Sequence, residues 1–194
     1  FTILYRLTLS DRQIIELSYQ LERLHCKIEG GWQDFIPAVC GGLNVINFKD
    51  NGFKNYKLMI SKNESEYLNN CLFISPIGVS RSSSRIHIKQ KKEAKTLNYQ
   101  NKMKKIVEIA DTCVDLIGSQ NFDKLGNILD DGWRLKKSLG DFISNTGIDD
   151  RYCELMTIGA TGGRLLGAGG SGFLLLHVPI KNQTKFLSEA ANMK

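Results

Sequence analysis

The stretch "GGRLLGAGGSGFLLLHVP", residues 162–179, constrains this chain more than any other. Its glycines open backbone conformations closed to other residues, and an apolar run follows directly. Gly167, Gly169 and Gly172 match G-x-G-x-x-G. In a dinucleotide-binding fold that motif follows a strand and opens a helix. Here "FLLLHV" follows and Pro179 closes it, which is the pattern of a buried strand. Context therefore excludes the dinucleotide reading. The stretch holds no G-x-x-x-x-G-K-[ST], which excludes a P-loop, and Phe173 stands where a nucleophile elbow around Ser171 needs glycine. Two readings remain open: a glycine-lined hairpin, and a loop whose small residues let successive backbone N–H groups face an anion or let another loop approach closely.

A chain of 194 residues has room for one or two domains and buries a core without disulfides or metal. Its formal net charge of +6 permits nucleic acid and equally suits an enzyme of anionic substrates. The basic run "KQKKEAK", with Lys102, Lys104 and Lys105 beyond it, lacks interleaved aromatics and matches no nucleic-acid module, so a solvated helix is expected and no nucleic acid partner. No apolar run approaches the roughly 20 residues of a membrane span, and no membrane partner is expected. Cys26, Cys40, Cys71, Cys113 and Cys153 are odd in number and widely spaced. They read as reduced, mostly buried thiols of a cytoplasmic protein. His25, His87 and His177 show no ligand spacing, so no metal site is expected from them.

Along the chain, apolar Ile14, Ile15, Leu17, Leu21 and Leu24 predict a helix capped by Ser10 and ending before Gly30. A short helix is expected over about residues 32–40, then a strand at "LNVINF". Residues 49–55 read as a turn around Asn-Gly, with strands at "YKLMIS" and "CLFISPIGVS". "KIVEIADTCVDLIGS", "FDKLGNILDDGWRLKKSLGDFIS" and "IDDRYCELMTIGA" are amphipathic helices, and "NQTKFLSEAANM" is a short closing helix. Strands interrupted by helices predict an α+β sandwich. "FTILYRLTLSD" reads as the tail of a helix entering a turn, which predicts a piece of a longer protein.

Four ordered stretches resemble one family. "GATGGRLLGAGGSGFLLLHVP" looks like the third conserved motif of the GHMP kinases, in the branch that phosphorylates heptose phosphates, with fucokinases as close relatives. "GGWQDFIPAVCGGLNVINF" resembles that branch's glycine-x-Gln-Asp segment, "VSRSSSRI" its Ser-Arg loop and "GWRLKKSL" its Trp-x-x-Lys-Lys helix. The resemblance implies the C-terminal portion of such a kinase. Residues 1–48 would end an N-terminal domain like domain 2 of ribosomal protein S5. Residues 49–194 would form the ferredoxin-like C-terminal α/β sandwich, an antiparallel sheet packed against helices. The Ser-rich phosphate-binding motif and most Mg²⁺ ligands would then lie upstream of Phe1, and this chain alone would be inactive.

The implied reaction transfers the γ-phosphoryl group of ATP to a sugar hydroxyl, most simply on a heptose 7-phosphate. The alternatives are a fucokinase-like kinase of a free hexose and a non-catalytic binding module. Asp34 matches the family's active-site Asp and would accept the hydroxyl proton; its bland reading is a carboxylate stabilised at a helix N-terminus. Gly31 and Gln33 would contact the sugar. Arg81, Ser83 and Arg85 on the basic loop, with Lys136 and Lys137 after Trp133, could hold a phosphate already on the acceptor, or simply be solvated. Gly167, Ala168, Gly169, Gly170, Ser171 and Gly172 would lie beside the phosphates.

Overall fold

The computed structural model describes residues 8–49, 52–77, 90 and 93–193. The chain divides into two compact units, one ending at Met59 and the other beginning at Ile60.

In the first unit, α1 (Asp11–Tyr19) starts at the expected cap: the Ser10 hydroxyl accepts from the Gln13 N–H, and the Gln13 side chain accepts from the Ser10 N–H. The helix then loosens into a π-helical stretch, Gln20–His25. Asp34 precedes α2 (Phe35–Cys40), whose Pro37 falls in the first turn, where a missing N–H costs nothing. Gly41, at φ +63°, ends it. β1 (Asn44–Lys49) pairs antiparallel with β2 (Gly52–Lys57), Lys49 opposite Gly52 and Asn44 opposite Lys57. The second strand therefore starts earlier than "YKLMIS", and the hairpin keeps residues 52–57 in the first unit. Ile15, Ile36 and Phe53 form the core, with Trp32, Phe35 and Val39 packed around them.

The second unit opens with α3 (Lys62–Cys71), a helix in a stretch to which the sequence reading assigned no element. Ser61 and Glu64 form its capping box. β3 (Leu72–Ile77) follows. α4 (Leu97–Gly118) is one continuous helix, and α5 (Leu125–Lys137) follows a short 3₁₀ turn. α6 (Thr146–Thr157) is capped by the Asn145 side chain. β4 (Gly162–Leu165), β5 (Gly172–His177) and α7 (Gln183–Ala190) complete the unit. The sheet runs β3-β5-β4, antiparallel throughout, with β5 central. Leu174 and Leu176 of β5 pack in one core with Trp133, Ile143, Leu155, Leu165 and Val178.

This is the α+β arrangement expected, an antiparallel sheet with helices against it. "FLLLHV" is a strand, as its context required. The thiols depart from expectation: all five cysteines are free, but only Cys71 is buried, while Cys26 and Cys153 are exposed. Among the described residues no helix is long and apolar enough to cross a membrane.

α5 and β4 touch backbone to backbone. A Cβ at Gly162 would overlap the Gly126 carbonyl, and one at Gly126 would overlap the Thr161 hydroxyl. Beside them the buried His177 ring shares a 2.7 Å hydrogen bond with that hydroxyl through Nδ1. Burial pushes the imidazole pKa down. Gly162→Ala should destabilise the second unit by about 3 kcal/mol in urea unfolding. Gly118→Ala, at a site with nothing within 4 Å, should be neutral or slightly stabilising. Equal effects of the two would show that the backbone contact is not what glycine serves there.

Candidate functional site

The glycine stretch is the loop of the β4–β5 hairpin. The Leu166 N–H bonds the Phe173 carbonyl at 2.8 Å, closing it. Gly167, Gly169, Gly170 and Gly172 have φ of +70°, +122°, +74° and +121°, values that side-chain-bearing residues rarely adopt. The hairpin reading is correct, and it does not exclude the anion reading. Lys136 donates from Nζ to the Gly167 carbonyl at 2.6 Å. The Asn145 side-chain amide reaches the Gly170 carbonyl at 3.4 Å, and the Gly170 N–H bonds the Ile143 carbonyl at 2.8 Å. Gly169 lies flat on Ile143, where a Cβ would come within 2.8 Å of the carbonyl oxygen. Two loop carbonyls are thus tied back. Among the described residues the N–H groups of Gly167, Ala168 and Gly169 have no acceptor. Successive free N–H groups in such a turn attract an anion.

Lys136, at the end of α5, is half-buried, and among the described residues no carboxylate lies within ion-pair distance of it. Burial pushes its ammonium pKa down to about 8, and the charge of Arg164 on β4 acts in the same direction. Arg164 is itself lowered by burial. Only one of the three Lys136 donors is used in bonding Gly167. Lys137 is different. Its Nζ pairs with Asp149 at 3.0 Å, lies 5.6 Å from the Trp133 ring centroid, and shares that carboxylate with the Ser144 hydroxyl at 2.9 Å. The sequence offered the two lysines as equivalents; the structure leaves Lys136 available and commits Lys137.

In the first unit, Gly31, Gln33 and Asp34 are exposed on one irregular segment before α2. Asp34 occupies the N-cap position of α2 but makes no capping hydrogen bond. At that position the helix dipole still favours the carboxylate, so both readings of Asp34 stand. Trp32 stacks on Tyr19 of α1 with ring centroids 3.7 Å apart. Arg23, in the π-helical stretch, places Nη2 3.7 Å from the Asp34 carboxylate. Arg81, Ser83 and Arg85 lie outside the described residues. Arg23 and Arg164 were not singled out in the sequence. Arg23 reads there as one more solvated charge on an amphipathic helix. Arg164 had a signal: it is a lone charge between Gly163 and Leu165 in an otherwise small or apolar run.

No protein-family model matches the chain. Over 176 residues, 89% of its length, the chain is 28% identical to the D-glycero-alpha-D-manno-heptose 7-phosphate kinase of Campylobacter jejuni, 51% of which it covers. Its fold superposes on the L. major mevalonate kinase solved with R-mevalonate at a TM-score of 0.77 and 15% identity, covering 98% of this chain and 57% of that one. A D-glycero-D-manno-heptose 1-phosphate kinase from Bacteroides thetaiotaomicron gives a TM-score of 0.72 at 19% identity, over 100% of this chain and 53% of that one. The chain therefore spans about half the length of the relatives it matches. The fold is that of the GHMP kinases. The sequence similarity is to a heptose phosphate kinase, of the branch that the four ordered motifs resemble.

Lys136 gives this site a signature in stability. Below about pH 8 its ammonium is charged in both the folded and the unfolded chain, and folding bears the full desolvation penalty. Between there and the ordinary lysine value of 10.5 the unfolded chain binds more protons, so stability rises with pH. Lys136→Met lacks that contribution. Urea unfolding from about pH 7 to 10.5 should show wild type gaining on the variant as pH climbs. A difference that stays flat would mean the ammonium is not desolvated.

Proposed function

We propose that this chain is part of an ATP-dependent GHMP-type sugar kinase whose acceptor is a heptose phosphate. The observation that carries the reading is the similarity along 89% of the chain to a heptose 7-phosphate kinase. In the proposed reaction an acceptor hydroxyl attacks the γ-phosphorus of ATP, the bond from that phosphorus to the β,γ-bridging oxygen breaks, and ADP leaves. Asp34 accepts the hydroxyl proton, and its exposed, uncapped carboxylate supports that role. Gly31 and Gln33 contact the sugar. The free N–H groups of Gly167, Ala168 and Gly169 receive phosphate oxygens, with Gly170, Ser171 and Gly172 shaping the turn.

The phosphate already on the acceptor is assigned to Lys136, with Arg81 and Ser83 as further contacts. A free hexose would leave a desolvated ammonium without a counter-charge, whereas a phosphate dianion supplies one. Lys137 contributes by holding Asp149 and α6 rather than by meeting substrate. ATP is expected to arrive with Mg²⁺. Among the described residues no group of three His, Cys, Asp or Glu side chains could hold a metal ion, and no step is assigned to one.

The test uses the full-length polypeptide that carries this chain, assayed for ATP consumption against sugars and sugar phosphates. Turnover is expected on a heptose phosphate, and Asp34→Asn should lower kcat by about 10²- to 10⁴-fold. The isolated 194-residue chain should be inactive. Lys136→Ala should raise KM for the phosphorylated sugar on the order of tenfold and leave KM for ATP nearly unchanged. Turnover on unphosphorylated hexose, indifferent to Lys136→Ala, would favour the fucokinase-like alternative. A folded full-length protein that turns over no sugar would overturn the reading.

A further inference from the structure

We propose that Arg23 is the positioning residue for Asp34, fixing the carboxylate without meeting substrate; this rests on the reading of Asp34 as the general base. No helix or strand spans residues 27–34, so no ladder of backbone hydrogen bonds sets their course. One guanidinium does. Its Nη1 donates to the Ile28 and Glu29 carbonyls, each at 3.3 Å. Its Nη2 donates to the Gly31 carbonyl at 3.5 Å and stands 3.7 Å from Asp34 Oδ2. Its carbon lies 5.0 Å from the centroid of the Phe35 ring, at the first residue of α2. A single planar group therefore touches the segment before the carboxylate, the carboxylate, and the helix after it. A guanidinium is suited to this because its donors form a rigid fork, which an ammonium lacks.

Burial separates the two roles. The Arg23 side chain is 8% exposed, and that of Asp34 is 71% exposed. Arg23 is placed to orient and Asp34 to react. Glu22 balances the buried charge at 2.7 Å. Arg23 Nε stays buried with no partner, so the arrangement is kept at the expense of one donor. Gly30 is part of the device: a methyl group there would overlap the guanidinium carbon. On the other side, the Trp32 stack on Tyr19 holds the segment to α1.

The test is a double-mutant cycle in the full-length polypeptide. Arg23→Gln should lower kcat about 10- to 100-fold, the scale of a misplaced reacting group, with KM for ATP and sugar within about twofold. In an Asp34→Asn background the same change should cost nothing further, because the two residues act as one unit. Gly30→Ala keeps both side chains and pushes only the guanidinium aside, so it should reproduce the kcat loss with an unchanged melting temperature. Amide hydrogen exchange on this chain should quicken at residues 29–34 in both variants and stay unchanged in α1. If Asp34→Asn collapses kcat but Arg23→Gln multiplies that loss in full, Arg23 is merely structural and the proposal is overturned. Unchanged exchange at residues 29–34 overturns it as well. If Asp34→Asn leaves kcat intact, the general-base reading falls and takes this role with it.

Discussion

The contact of Gly126 with Gly162 fixes how α5 lies on β4, and the rest of the second unit follows from it. With no side chain between them, helix and strand can approach backbone to backbone, and they run in the same direction. From Gly126 to Lys136 the helix advances about 15 Å. From Gly162 to Gly167 an extended chain advances about 16 Å. The two paths match, which is why the Lys136 ammonium arrives at the Gly167 carbonyl. The lysine and the loop are thus placed by a contact at the far end of both elements. His177 and Thr161 fill the remaining space beside the glycines and bond one another there.

That register explains how two adjacent lysines come to differ. On a helix, consecutive residues point about 100° apart. Lys136 turns toward the hairpin, and Lys137 turns toward Trp133 and α6. Only the first has no carboxylate within ion-pair distance among the described residues. The fold itself does not choose the acceptor. The mevalonate kinase superposes slightly better than the heptose 1-phosphate kinase, so backbone likeness carries no substrate information at this distance. Whatever distinguishes one acceptor from another in this fold must lie in side chains rather than in the course of the backbone.

Much of the fold was legible because the signals were local. Ser10 with Gln13, Pro179 after an apolar run, and the helical spacing of Leu125 to Trp133 each name their element without reference to the rest of the chain. α3 was legible too and went unread: Ser61-x-x-Glu64 is a capping box ahead of Tyr67, Leu68 and Cys71. Other features depend on distant partners. The π-helical turn at Gln20–His25 has no composition of its own. Cys26 and Cys153 are exposed, which the cysteine preference for interiors cannot foresee. Lys136 and Lys137 have the same chemistry and differ only in what α6 and the hairpin bring to them. Asp34 was proposed by resemblance, whereas the buried state of Arg23 needed coordinates.

Each unit manages its irregular segment with the same device: a cation bonded to backbone carbonyls of a glycine-containing stretch. In the first unit Arg23 binds the carbonyls of Ile28, Glu29 and Gly31. In the second, Lys136 binds that of Gly167. The two cations are not equivalent. The guanidinium spreads its donors over three carbonyls and the Glu22 carboxylate, stands 3.7 Å from Asp34 and is almost wholly buried, so it is spent on holding geometry. The ammonium spends one donor of three, beside N–H groups that find no acceptor among the described residues. Tying carbonyls back has an electrostatic consequence as well. It removes the partial negative charges that would face an incoming anion and leaves the amide dipoles pointing the other way. The glycines are needed because positive φ allows the loop's carbonyls and N–H groups to separate onto different sides, and the cation keeps them there.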